Sequence, residues 1–167
     1  MEVQGTDKFI FYPKGYLLVI ADYFEKDKRV DSKVVVDSQN IIVNSAKLAM
    51  PIGISDPDDH SYVVKYFAMG TGHHAAGDPD VPVQPIVTET ALETELYRKA
   101  ITNISYPTAT SVSFYTLVSR DEGNIGSWYT EFGLFSDSAM FAIRASDTGR
   151  IRKNDNIQLE IYWRISF

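Results

Sequence analysis

The stretch NIQLEIYWRISF, residues 156–167, alternates between apolar and polar side chains without a break. This two-residue period is that of a β-strand with one face in a core and the other in a wetter environment. It predicts a core strand whose buried face consists of Ile157, Leu159, Ile161, Trp163, Ile165 and Phe167.

Further strand patterns precede it at short intervals. GYLLVIADYF (residues 15–24) and VDSKVVVDS (residues 30–38) flank the charged turn EKDKR and predict an N-terminal hairpin. SYVVKYFAMG (residues 61–70) and SVSFYTLVSRD (residues 111–121) predict two more strands. Many short strands separated by turn residues are typical of an antiparallel β-sandwich.

Helix signals are few. Asn44 or Ser45 is suited to cap a short helix that Pro51 and Gly53 would end. A capping-box spacing predicts one or two further helical turns near residues 90–96. We therefore expect a mainly β protein, an antiparallel β-sandwich with one or two short helices and an N-terminal hairpin or arm.

The polar break ISDPDDH is the best candidate for a domain boundary. It divides the chain into residues 1–55, a hairpin and short helix that would serve as an arm or attachment segment, and residues 56–167, the β-sandwich domain.

Composition narrows the class of protein. The chain has 167 residues, of which 44% are hydrophobic and 13% aromatic, enough for the core of one domain. Its net charge of −6 argues against unspecific binding to nucleic acid. It has no cysteine, which excludes disulfides and thiolate metal sites. With neither a secretory signal nor a membrane-spanning apolar run in the sequence, we expect a protein made in a reducing cytoplasm.

Histidines in the loop GTGHHAAGDPD invite a metal hypothesis. His73 and His74 lie near Asp78 and Asp80, and His60 is the other histidine. Adjacent side chains on extended backbone point to opposite sides, so a convergent site would need ligands from elsewhere. We interpret the histidines as part of a solvated loop and expect no metal and no cofactor.

The acidic run formed by Asp56, Asp58 and Asp59 suggests calcium only superficially. The 12-residue pattern with a central glycine and a closing glutamate is absent, so an exposed linker is the better interpretation.

The stretch YTEFGLFSDS, residues 129–138, places a carboxylate inside a strand-like apolar run. Paired with Glu93 or Glu95, Glu131 would supply the two carboxyls of a glycosidase. Nothing in the sequence marks a cleft, and no nucleophile elbow, phosphate-binding loop or zinc-protease motif is present. We therefore expect that the chain is not an enzyme.

A small basic group, RIRKN with Arg144 nearby, stands out in this acidic chain. One interpretation is a charged hairpin tip that discourages pairing between sheet edges. The other is a contact with an acidic patch on a neighbouring subunit, in which case the contact residues would be Arg144, Arg150, Arg152 and Lys153.

Several motifs follow one another along the chain. After a strand that ends in Gly-x-Gly come a T-x-L-x-x-E-x-x-R element, an E-x-G-L-F strand and a closing L-x-x-x-W-x-I-x-F strand. Their positions are Thr90, Leu92, Glu95 and Arg98, then Glu131, Gly133, Leu134 and Phe135, then Leu159, Trp163, Ile165 and Phe167. Taken in this order, the motifs resemble those of the phage tail-collar fibre family of tailed bacteriophages. The segment NIIVNSAKLAM resembles the N-L-I-V-N segment that often precedes the domain.

The resemblance implies a structural virion protein that assembles through protein contacts with itself, as a trimer or ring, and with other tail or neck proteins. It implies a place in the tail, collar or baseplate, after assembly in the host cytoplasm, without nucleic acid or membrane as partner. Because the sequence has no room for a shaft after the closing strand, we expect an adaptor, collar, baseplate or fibre-attachment component of the tail.

On this interpretation Glu131 is architectural. Glu131, Gly133 and Phe135 share one face of a strand, and a partly buried carboxylate there needs a partner. We expect Arg98 to pair with Glu131 and fix the register of the strands. We also expect Gly133 to allow the close approach of a backbone or a large ring.

The aromatic residues of the N-terminal arm are the candidate interface anchors, namely Tyr12, Tyr16, Tyr23 and Phe24. The alternative function, from another class, is a glycan-binding β-sandwich that recognises the host surface. In that case Trp128 and Tyr129, beside the long loop, would stack on sugar rings.

Overall fold

A computed structural model describes residues 13–55, 60–137, 139–146 and 150–167. Within these ranges the chain forms eleven strands and one helix. The strands are β1 (Lys14–Glu25), β2 (Lys28–Ile42), β3 (Tyr66–Gly70), β4 (His74–Ala75), β5 (Asp78–Pro82), β6 (Glu95–Ala100), β7 (Asn103–Thr108), β8 (Ser111–Val118), β9 (Glu131–Phe135), β10 (Met140–Ala145) and β11 (Ile157–Ser166). The helix α1 is Asn44–Ser55. The prediction of a mainly β, antiparallel protein is confirmed.

Nine strands form one sheet in the order β6-β3-β9-β10-β2-β1-β11-β8-β7, and β4 with β5 makes a separate small hairpin. The sheet is strongly curled into a half-barrel, where a β-sandwich would have two separate sheets. Its two halves join at β2 and β10, through only the pairs Ile42–Ala142 and Ile41–Ile143. The two halves can therefore face each other across a core as the layers of a sandwich do.

The alternation along β11 has the predicted consequence. The side chains of Ile157, Leu159, Ile161, Trp163 and Ile165 are buried, because β11 lies between β1 and β8 and turns this face inward. Phe167 follows the last residue of β11 and is 48% exposed, so its predicted burial is wrong.

The core lies where the two halves of the sheet meet. The ring of Phe67 on β3 is 6.5 Å from that of Trp163 on β11 and 6.1 Å from that of Phe132 on β9, centroid to centroid. These contacts hold the curled sheet closed, since β3 and β9 belong to one half and β11 belongs to the other.

The N-terminal hairpin is part of this sheet, because β1 lies between β2 and β11. Its register with β11 runs from Lys14 to Tyr23, so most of β1 has a partner on both sides. The expectation that the hairpin projects as an arm is therefore corrected. The predicted boundary within residues 56–59 lies outside the described residues.

The helix begins at Asn44, as predicted, but it runs through Pro51 and Gly53 to Ser55. Ser45 Oγ donates a hydrogen bond to the carbonyl oxygen of Met140, which fixes the helix start against β10. No second helix forms at residues 90–96, which are described in full. There the chain makes a turn and then enters β6.

Candidate functional site

Glu131, at the start of β9, is completely buried. Its Oε2 is 2.7 Å from Nδ1 of His73 and accepts a hydrogen bond from the backbone N–H of Glu93 at 3.2 Å. Its Oε1 accepts a second backbone hydrogen bond, from Thr94 at 3.1 Å. Both carboxylate oxygens therefore have donors from the chain, as a buried charge requires. We call Glu131, its three partners and the two glycines packed on Glu131 and Glu93 the Glu131 seam.

Two glycines make room for this carboxylate and for Glu93 beside it. Gly70 pairs with Glu131 in the sheet, and a Cβ on Gly70 would be 2.6 Å from Oε1 of Glu131. A Cβ on Gly72 would be 2.5 Å from the Cβ of Glu93. The Gly-x-Gly sequence at the end of β3 is thus needed for the close approach of residues 92–94 to β9.

Thr130 also binds the turn formed by Gly70, Thr71 and Gly72. Its Oγ1 accepts a hydrogen bond from the N–H of Gly72 at 2.9 Å and donates one to the carbonyl oxygen of Gly72 at 2.8 Å. Its backbone N–H donates to the carbonyl oxygen of Gly70 at 2.9 Å. Thr130 and Glu131 therefore hold both ends of the Gly70–Gly72 turn.

His73 is 5% exposed, so its interpretation as a solvated loop residue is wrong. A φ of 50° directs its ring inward to Glu131, and its Nε2 lies 3.4 Å from Oε1 of Glu89. The hydrogen bond to Glu131 raises the pKa of His73 above the ordinary 6.5, and desolvation opposes the rise. Glu93 also faces Nδ1, at 4.0 Å. His74, by contrast, is half-buried in β4.

The predicted ion pair between Arg98 and Glu131 is wrong. The guanidinium of Arg98 donates instead to the two carboxylate oxygens of Glu95, at 2.8 and 2.6 Å. It lies 4.1 Å from the ring centroid of Phe135. The reason is register, because Arg98 pairs with Ala68, whereas Glu131 pairs with Gly70, two residues further along β3.

The role predicted for Gly133 is confirmed. A Cβ there would be 2.5 Å from the ring of Phe135 and 3.1 Å from Leu92, so the ring occupies the space that a side chain would fill. Phe135 thereby forms a layer on which Arg98 stacks.

The geometry of Glu131 suits a structural role better than a catalytic one. A glycosidase carboxyl must reach a sugar in a cleft, whereas both oxygens of this carboxylate are engaged and its side chain has no exposed surface. Among the described residues, no group of three or more His, Asp or Glu side chains is arranged to hold a metal ion.

The aromatic anchors predicted on the hairpin are only partly available. Tyr16 is 39% exposed. Tyr23 and Phe24 are half-buried, the first beside Lys33 at 5.3 Å and the second beneath the guanidinium of Arg120 at 5.1 Å. Tyr12 lies outside the described residues.

Lys153 is 2% exposed, which corrects its prediction as an interface residue. Its ammonium donates to the carbonyl oxygens of Arg120 and Asn154 at 3.1 and 3.3 Å, and to Oδ1 of Asn124 at 3.0 Å. Burial lowers the pKa of Lys153 to about 8. Neighbouring charges did not reveal this in the sequence. The signal in the sequence was the alternation along residues 151–154, in which Lys153 falls on the same side as Ile151.

The three arginines predicted beside Lys153 keep some exposure. Arg144 donates to Oε1 of Gln84. Arg150 and Arg152 lie over the ring of Trp128, at 4.6 and 5.4 Å from its centroid. Two of the four basic residues are therefore organised around an indole ring.

The two aromatic residues expected to bind glycans are already engaged. Trp128 carries the two guanidinium groups, and Tyr129 is completely buried, with its hydroxyl donating to the carbonyl oxygen of Gly123 at 2.7 Å. Tyr129 therefore has no surface for a sugar ring, and the half-buried ring of Trp128 already stacks against two arginines.

No helix in the described ranges is both long and apolar enough to cross a membrane. Comparisons with protein-family models, with curated proteins and with solved structures found no match for this chain.

Proposed function

We propose that this chain is a structural virion protein of a tailed bacteriophage. It would be an adaptor, collar, baseplate or fibre-attachment component that assembles through protein contacts with copies of itself and with other tail or neck proteins. The antiparallel β architecture is compatible with such a component, but the support is more specific and comes from the motifs on which the resemblance rests.

The observation that carries the proposal is the Glu131 seam. Glu131 comes from the E-x-G-L-F motif and accepts hydrogen bonds from the backbone of residues 93–94, which lie within the T-x-L-x-x-E-x-x-R motif. Gly70 and Gly72 form the Gly-x-Gly motif, and Gly70 packs against the carboxylate of Glu131 while Gly72 packs against the side chain of Glu93. Three motifs identified separately along the chain therefore meet in one buried contact.

Residues of the two longer motifs also form an outer layer over this seam. Leu92 packs beside Gly133, and Arg98 stacks on Phe135. Such residues are expected of a fold whose surface is used for assembly, where they set strand register and loop position.

A buried acid of this kind specifies geometry more than it adds stability. The desolvation of an ionised pair offsets much of its attraction, whereas only one arrangement of the chain satisfies all its donors. A repeating assembly needs that uniqueness, because every copy must present the same surface to its neighbours.

The test is whether the protein is part of a particle. Phage particles purified from the cells that make this chain are probed with an antibody against it, by immunoblot and by gold labelling in electron micrographs. We expect a constant number of copies per particle and labels at the tail or neck. A protein that stays in the soluble lysate, with particles complete in its absence, would refute the proposal.

A further inference from the structure

Strands β1, β8 and β11 carry large apolar side chains on both of their faces. Leu17, Trp163 and Phe114 pair across these strands and are buried in the core. The next row, Leu18, Tyr162 and Tyr115, must point to the opposite face, because side chains alternate along a strand. The outer face of an antiparallel sheet is ordinarily polar where it meets water.

This outer surface is apolar and also contains a depression. It contains a groove of ≈ 280 Å³ lined by Tyr16, Leu18, Ile20, Ser113, Tyr162 and Arg164. The rings of Tyr115 and Tyr162 pack 4.9 Å apart at its side. Contiguous apolar surface of this kind marks interaction sites in water-soluble domains. We call this side of β1, β8 and β11 the outer face.

The two sheet edges that flank the outer face are poorly suited to take a partner strand. The edge strand β7 contains Pro107, which has no N–H to donate. The free edge of β2 has register shifts opposite Val19/Ile20 and Tyr23/Phe24, and Lys28, Arg29 and Lys33 are exposed along it. Bulges and charges both discourage edge pairing. A partner is therefore better accommodated on the outer face.

On β11, two opposite charges lie symmetrically about Tyr162 on the outer face. Glu160 and Arg164 lie on β11, two residues before and two residues after Tyr162. Among the described residues neither forms an ion pair, and Glu160 accepts a hydrogen bond from the hydroxyl of Tyr162 at 2.7 Å. All three side chains point to the same side, since they are spaced by two.

This spacing is self-complementary. If a second copy faces the first across a two-fold axis that crosses β11 over Tyr162, position +2 of one copy meets position −2 of the other. Arg164 of each copy then lies opposite Glu160 of its mate. A two-fold axis along β11 would instead place like charges opposite each other. Asp37 shares the row of Tyr162 but lies on β2, two strands away at the rim.

We propose that the outer face binds a second copy of this chain, sheet against sheet, with Tyr162 near the two-fold axis and two Glu160–Arg164 pairs across the interface. Isologous contacts of this type require a self-complementary surface, and stacked sheets lie about 10 Å apart with their strands nearly aligned. The side chains that line the groove would interdigitate with those of the mate. This inference rests on the proposed function. The dimer would be the unit from which larger assemblies of the virion are built.

The experiment measures self-association of the purified full chain by sedimentation equilibrium. We expect a monomer–dimer equilibrium. Either Glu160→Arg or Arg164→Glu alone should raise the dimer Kd by at least about tenfold, because each turns two attractive pairs into two repulsive ones. The double variant Glu160→Arg/Arg164→Glu should restore the affinity of the parent, since the exchange preserves complementarity.

Lys47→Glu is the matched charge-reversal control, because Lys47 is exposed on α1, away from the outer face. It should leave the Kd unchanged. Leu18→Glu, which alters only the apolar part of the face, should abolish the dimer, and circular dichroism checks that it folds. A strict monomer, or an oligomer that the single reversals do not weaken, would overturn the proposal. Capture of a different virion protein by the monomer would also overturn the dimer but would leave the proposed function standing.

Discussion

His73 and Glu131 are 58 residues apart in sequence, yet Nδ1 of one lies 2.7 Å from Oε2 of the other inside the protein. This contact joins the turn after β3 to the start of β9. Since the same carboxylate also binds two backbone N–H groups, one side chain holds three segments of the chain together.

The first prediction concerns that carboxylate. Glu131→Gln keeps the shape of the side chain but places an N–H₂ group where only acceptors fit, facing donors of the chain. We expect unfolding in urea to show a loss of about 2–4 kcal/mol, since a buried charged hydrogen bond is lost and donors are left unsatisfied.

Glu95→Gln is the matched control for this change. Glu95 pairs with Arg98 at the surface, where an ion pair contributes between about 0 and 1 kcal/mol. Equal effects of the two substitutions would contradict the structural importance of the Glu131 seam.

The second prediction is the pH dependence that His73 causes. Its pKa is raised in the folded protein above 6.5, so the folded state holds the proton more tightly than the unfolded state. The stabilisation is fully present below pH 6.5 and is lost as the pH rises through the folded pKa. In His73→Gln, this fall in unfolding free energy above pH 6.5 should disappear.

His74→Gln serves as the comparison, because it removes a neighbouring histidine that makes no contact with Glu131. The fall should survive in this variant. If the unfolding free energy of His73→Gln depended on pH as that of the parent does from pH 6 upward, a group other than His73 would be responsible for the fall.

Local periodicity predicted the face of β9 but not the partner of Glu131. The alternation of Glu131, Gly133 and Phe135 follows from backbone geometry alone, and the predicted close approach of a ring to Gly133 is what the structure shows. The choice of Arg98 relied on charge. Arg98 lies opposite Ala68 on β3 whereas Glu131 lies opposite Gly70, and the sequence alone does not reveal this register.

His73 could not be identified for a related reason. Its inward direction depends on a left-handed backbone conformation, with φ of 50°, in a loop that the sequence marks only as rich in glycine. The one available signal was its position directly after Gly70-Thr-Gly72, where a strand ends and the chain turns sharply. The glycines that flank the histidines suggested a solvated loop, whereas the carboxylates that face the ring of His73, on Glu89 and Glu131, come from distant parts of the sequence.

The third prediction tests the layer of Phe135 over Gly133. In Gly133→Ala the new methyl group would occupy the position of the ring, at 2.5 Å, so the ring must move and Arg98 loses the surface on which it stacks. Overpacking of this kind costs about 1–3 kcal/mol, measurable as a lower urea midpoint.

Phe135→Leu is made alone and combined with Gly133→Ala. If the ring causes the strain, the double variant should lose less than the sum of the two single losses. Strictly additive losses would show that the methyl group disturbs something else.

The fourth prediction concerns Lys153, whose contribution to stability has the opposite sign to that of His73. Its pKa is lowered from 10.5 to about 8 by burial, so above pH 8 the unfolded chain binds more protons than the folded one. The contribution of Lys153 to the unfolding free energy should therefore rise between pH 8 and about 10, before tyrosine ionisation intervenes. In Lys153→Met this rise is absent, whatever the variant's stability at neutral pH.

Urea unfolding of the parent and of Lys153→Met across this pH range measures the difference. Parallel profiles would show that the ammonium titrates as a solvated lysine does, and that its cage of three oxygen acceptors is not formed in solution.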